Sequence, residues 1–202
     1  MPLNLTRSLL VVLIPGAIAL FPWLALLIKV KPALVEFYSQ YSQLAWGGLF
    51  VAVTVFGSLI EGANSYIEDS WDNEREVKYE VRKNWYDYLA RICPSQPVAH
   101  SYIARMATTM YFEMAMGWAS LSLAACGTLY IVLTAAVPVP TPLEFLKVAA
   151  SFSAGVAVVS MFFSRGKDSH EALCNTRREV NRRLRYLDAP LPERRRYGLN
   201  RV

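Results

Sequence analysis

Glu113 is the one carboxylate inside a long apolar stretch of this chain, with Thr108 and Thr109 about one turn before it. A carboxylate in that setting can relay protons, line a pore or hold a cation, because leaving it charged in hydrocarbon is costly. A structural pairing with Arg105, two turns earlier, is the alternative. The other chemistry-bearing residues are sparse. His100 and His170 both fall outside the apolar stretches, which excludes a haem held by two intramembrane histidines. Cys93, Cys126 and Cys174 form no CxxC pair and no cysteine–histidine cluster, so neither disulfide chemistry nor a metal centre is expected. HExxH, GxGxxG, GxxxxGK[ST] and GxSxG are all absent. The expectation is a protein without catalytic residues, cofactor or metal.

Two further groups invite a binding reading. Arg177, Arg178, Arg182 and Arg183 cluster near the C-terminus, where they could hold anionic lipid or another anion. Direct binding of nucleic acid is not expected of them. Trp71, Trp85 and Tyr88 are aromatic groups within a charged segment, and such residues are enriched where partners dock. Mutual packing of helices would use them equally well. Arg165 and His170 stand in an R-x4-H spacing, which resembles the catalytic pattern of HEPN-type ribonucleases. That resemblance implies a membrane-anchored nuclease with two copies facing across a dimer.

The elements that position these residues follow from charge. Ser8–Ile28, Phe37–Ile60, Met114–Leu143 and Val148–Ser164 are free of charged residues. A bilayer core takes about 20 apolar residues per helix, and a helix satisfies every backbone group within one segment. The pattern predicts an all-α polytopic membrane protein, with four transmembrane helices near 8–28, 42–60, 108–135 and 146–164. The first is expected to be retained rather than cleaved, since no small-residue site ends it. Pro15 and Pro22 predict a kink there. Lys and Arg concentrate in 61–105 and after 164, so the positive-inside rule places both termini in the cytoplasm of a bacterial inner membrane.

The second and fourth apolar stretches run without proline into charged helical sequence. Long cytosolic helical extensions are therefore expected after helices two and four. The organisation is 1–60 (first hairpin), 61–105 (cytosolic segment), 106–164 (second hairpin) and 165–202 (cytosolic helix and basic tail). Ile67, Trp71, Val77, Val81, Trp85 and Leu89 offer an apolar stripe for a partner helix. Arg75-Glu76-Val77 is echoed by Arg178-Glu179-Val180, as in a parallel duplication. Gly48/Ala52, Ala115/Ala119, Ala150/Ala154 and Ser153/Ala157 are small-xxx-small pairs suited to close helix contact, within one subunit or between copies.

In size, four spans, inward termini and charged cytosolic platform, the chain resembles the four-helix membrane components of bacterial antiphage systems such as Kiwa. The resemblance implies sensing of infection at the inner membrane and a soluble cytosolic protein partner. It carries no site residue. A homo-oligomer acting as sensor, effector or channel-like component is the main expectation. A small proton- or cation-coupled transporter using Glu113 is the alternative.

Overall fold

The computed structural model describes residues 7–90, 97–134 and 142–188, with the side chains at 88–90, 97–100, 134, 142, 144 and 186–188 left aside. The side chains of Tyr88 and His100, all of Cys93, most of the 138–142 turn and the tail from 189 therefore lie outside the described residues. Six α-helices account for nearly everything else: α1 Ile14–Val30, α2 Ala33–Gln40, α3 Ser42–Tyr79, α4 Val81–Ala90, α5 Pro97–Thr134 and α6 Pro142–Asp188. The all-α class follows. Four helical stretches, Leu9–Val30, Ser42–Tyr79, Ser101–Leu133 and Phe145–Arg185, are long and apolar enough to cross a membrane.

Local chemistry explains where the elements begin and end. A π-helical turn, Leu9–Leu13, precedes α1. Pro15 has no N–H to offer the Val11 carbonyl. Ile14 N–H donates instead to the Leu9 carbonyl, five residues back. Residues 29–43 read as a short outer loop, yet they contain α2. Pro32 sits at its N-cap, where a preset φ helps, and Glu36 occupies its first turn. Pro97 opens α5 for the same reason.

The helical extension expected after the second apolar stretch is interrupted at Glu80, whose φ of 47° is left-handed. No glycine stands there, so side chains hold the break. Glu76 accepts the freed Arg82 N–H at 3.0 Å, and Asn84 Nδ2 donates to the Tyr79 carbonyl at 2.5 Å.

The chain divides into two compact units. The first comprises Met1–Tyr66 with Thr108–Gly166. Its neighbouring apolar helices run in alternating directions. Val12 meets Gly57 and Gly16 meets Val53, so α1 and α3 are antiparallel. Gly117 meets Phe163 and Ala124 meets Gly155, so α5 and α6 are antiparallel too. Trp23 Nε1 donates to Ser122 Oγ at 2.8 Å, and Ser122 Oγ donates to the Ala19 carbonyl at 2.9 Å. Lys29 Nζ donates to Tyr130 OH at 3.1 Å, so α1 and α5 run parallel. One buried cluster of this unit comprises Ala19, Ile60, Ala115 and Ala119, with Ile18 and Trp118 against it; Val11, Met110 and Met114 are fully buried as well.

Of the small-residue pairs, Ala115/Ala119 is buried within the subunit. Ala150/Ala154, Ser153/Ala157 and Gly48 face outward. The closest crossing uses glycines that no such pair included. A Cβ on Gly57 would fall 2.1 Å from the Val12 carbonyl oxygen, and one on Gly16 would fall 2.3 Å from that of Val53. No side chain fits there.

The second unit comprises Ile67–Ala107 and Lys167–Val202. Here the ends of α3 and α6, together with α4, lie side by side and parallel. Successive bonds join Glu74 to Lys167, Tyr79 to Glu171, Asn84 to Asn181 and Asp87 to Arg185. The parallel sense matches the direction expected of a duplication. Arg75 and Arg178, the echoed arginines, each donate to a carbonyl of the opposite helix, those of Lys167 and Lys78.

The glycine crossing makes a direct prediction. Gly57→Ala should destabilise the protein by about 1–3 kcal/mol or prevent folding, because the added methyl meets backbone rather than a movable side chain. Gly48→Ala, with nothing within 4 Å of its Cβ position, should be within about 0.5 kcal/mol of the parent. Thermal unfolding in detergent distinguishes the two, and equal loss in both would refute the crossing.

Candidate functional site

The apolar stripe expected along 67–89 does not hold as a stripe. Val77 is 97% exposed. Six residues separate it from Trp71, which turns it about 240° away around the helix. The face that packs on α6 carries Asp72, Arg75 and Tyr79 instead, and it buries ionisable groups.

His170 is the centre of this face. It is fully buried, and its Nε2 lies 2.7 Å from Asp72 Oδ1. Its Nδ1 bonds to an Arg75 guanidinium nitrogen. Arginine can only donate, so Nδ1 must accept, and the ring proton sits on Nε2, donated to Asp72. The two partners together select one tautomer of the imidazole. Arg75 also donates to the Lys167 carbonyl at 2.9 Å and lies 3.6 Å from Glu171. Trp71 leans on the histidine ring at a centroid distance of 5.7 Å.

Glu171 closes the next turn. It accepts from Tyr79 OH at 2.6 Å and from Lys78 Nζ at 3.0 Å. These donors, the tyrosine first, hold its carboxyl down at about 2. The same phenol, then Glu171, raises Lys78. Lys167 lowers Glu74 through a direct hydrogen bond.

Cys174 lies one turn beyond His170, its Sγ 3.8 Å from Nδ1 and 3.9 Å from Nε2. Burial pushes its thiol up to about 11, with Asp72 adding to the shift. Such a thiol is a small apolar group at neutral pH rather than a nucleophile.

Asp72, His170 and Cys174 have donor atoms close enough to suggest a metal ion. The fit fails at Arg75. An ion on Nε2 would move the ring proton to Nδ1, directly facing a guanidinium that also only donates. An ion on Nδ1 would need the place Arg75 holds. The cluster is better described as a histidine clamped between a carboxylate and a guanidinium.

The residues singled out from sequence are scattered relative to this cluster. Glu113 and Thr108 are half-buried on α5 and Thr109 is exposed, all within the first unit. A lateral groove of about 310 Å³ in that unit is lined by Phe56, Leu59, Trp118 and Leu121 among others, and Glu113 does not line it. Arg165 is exposed whereas His170 is buried with both ring nitrogens engaged. Trp71 and Trp85 both pack against α6, the latter beneath Arg177.

The four arginines differ among themselves. Arg182 and Arg183 are exposed and share Glu179, whose carboxyl they hold down. Arg178 is exposed and reaches the Lys78 carbonyl at 3.4 Å. Arg177 is buried, with its Cζ 4.3 Å from the Trp85 ring centroid. The Asp72–Arg75–His170 cluster was not anticipated. Its only sequence signal was the pairing of proline-free charged stretches after two apolar helices.

Comparison with protein families, curated proteins and solved structures gives no match.

The depressed Glu171 carboxyl has a pH consequence. Its ordinary value is 4.5 and its folded value about 2. The stabilisation it provides is complete above about 4.5 and is lost as pH falls through that window toward 2. Glu171→Gln should be less stable than the parent at neutral pH and flatter between pH 4.5 and 2. Denaturant unfolding followed by circular dichroism across that range checks it, and parallel pH curves would exclude the pairing.

Proposed function

We propose that this chain is an integral protein of a bacterial inner membrane with four spans, both termini cytoplasmic, and no catalysis of its own. Its charged helices form a cytosolic platform that docks a soluble protein and couples it to events in the bilayer. The observation that carries this reading is the continuity of α3 and α6. Each begins in a stretch suited to hydrocarbon and continues into a polar stretch bonded to the other helix.

Other features support it. Lys and Arg concentrate at the ends assigned to the cytoplasm. The cluster most like a catalytic site has its histidine fully engaged and its thiol held far above neutrality. Neither acid–base nor thiol chemistry has a free group there, and the Arg165/His170 nuclease reading gains nothing. The outward Ala150/Ala154 and Ser153/Ala157 faces favour self-association in the membrane. A role in sensing infection, as in Kiwa-like systems, fits a membrane component with a docking platform. The transporter reading through Glu113 has no added support.

Topology is the decisive test. Single cysteines placed at positions 2 and 200, in a background freed of native cysteines, should resist a membrane-impermeant maleimide in intact spheroplasts. Both should react after permeabilisation. Reaction of either from outside overturns the reading.

A further inference from the structure

We infer that Arg177 and Trp85 form an anion-binding site for a soluble ligand bearing a phosphate or carboxylate group. Arg177 is 8% exposed, more deeply buried than is usual for a guanidinium. Its Nε is buried and has no hydrogen-bond partner. Among the described residues it makes neither a hydrogen bond nor an ion pair, and its guanidinium stacks on the face of Trp85. A buried charge normally persists only with a partner. Stacking on an indole satisfies the face of the guanidinium, not its N–H edge.

Several carboxylates described on these helices are already engaged. Glu179 is held by Arg182 and Arg183, Asp87 by Arg185, and Glu171 by Tyr79 and Lys78. The counter-charge that Arg177 lacks therefore comes from outside this set. Two oxygens in the guanidinium plane are what its edge best accepts, and carboxylates and phosphates both offer them. Arg178, the next residue, is tied only by a 3.4 Å contact and adds positive charge beside the site. This separates Arg177 from the other arginines of the cluster. It is preorganised by an aromatic platform and short of a partner, whereas Arg182 and Arg183 are exposed and paired.

The inference extends the platform reading but does not rest on topology, since the site lies wholly within the second unit. The test uses the full chain in an uncharged maltoside detergent, so that no headgroup competes. Inorganic phosphate, succinate and chloride are titrated at matched ionic strength, and melting temperature is recorded. For the parent protein, phosphate or succinate should raise the melting temperature saturably beyond chloride, by several degrees. In Arg177→Met, which keeps bulk and removes charge, that excess should vanish. The same excess in parent and variant would mean a general salt effect and overturn the site. No excess with either anion in the parent would overturn it too. Should the variant fail to fold, the Arg177 Nε–H resonance of the parent decides. A saturable shift with phosphate or succinate supports the site, and an unmoved resonance refutes it. The stronger of the two anions identifies the ligand class.

Discussion

Arg75 is the side chain around which the paired helices are organised. One guanidinium bonds the His170 ring, donates to the Lys167 backbone and stands beside Glu171. Its permanent charge and donor-only chemistry determine which histidine nitrogen carries the proton. That in turn settles the bond to Asp72. Removing Arg75 would leave Asp72 beside a histidine free to adopt either tautomer. A polar interface of this kind adds little net stability compared with an apolar one, but it penalises every register except one. The parallel alignment of α3 with α6 is specified in this way, and Asn84 of α4 with Asn181 repeats the device about three turns further along α6.

The first unit obeys a different economy. Its apolar helices touch through small surfaces, with alanines at the core and glycines at the α1–α3 crossing. Close approach lets backbone atoms meet directly, which suits association where lipid offers as much apolar contact as a neighbouring helix does. Directed polar bonds do the rest. The Trp23–Ser122–Ala19 relay ties α1 to α5 across the middle of the unit. Precise small-residue contact in one unit and precise ionic contact in the other are two answers to the same problem, choosing one arrangement among many of similar hydrophobicity.

The four long apolar helices were legible in the sequence because the apolar runs are long and the charges are segregated. The interior of the second unit was not legible. Asp72, Arg75 and Glu171 resemble residues of a solvated helix face, and only three-dimensional pairing shows that they face another helix. Val77 entered the expected stripe on hydrophobicity alone, although its spacing had already rotated it outward. The break at Glu80 was equally hidden, since it depends on Glu76 and Asn84 capturing backbone groups rather than on glycine or proline. Among the binding candidates, four adjacent arginines looked alike. Their differences in burial arise from helical phase relative to α4, which a run of like charges does not reveal.

At its two ends the first unit carries cations seated on tyrosine rings, Arg7 on Tyr111 and Lys29 on Tyr130. Twenty-two residue steps separate these cations, about 33 Å at 1.5 Å per residue. Both belong to the chain segment around α1, and both tyrosines to α5, so the two helices are stapled at matching heights. In the proposed bilayer this distance acts as a gauge. A hydrocarbon layer near 30 Å would leave both cations at the polar boundary, with their rings as anchors. In a thinner layer the staples could not shorten, and the pair would tilt together or deform the surrounding lipid. In that bilayer the unit would be matched to one thickness, and local thinning or thickening would be felt first as a change in the tilt of α1 and α5.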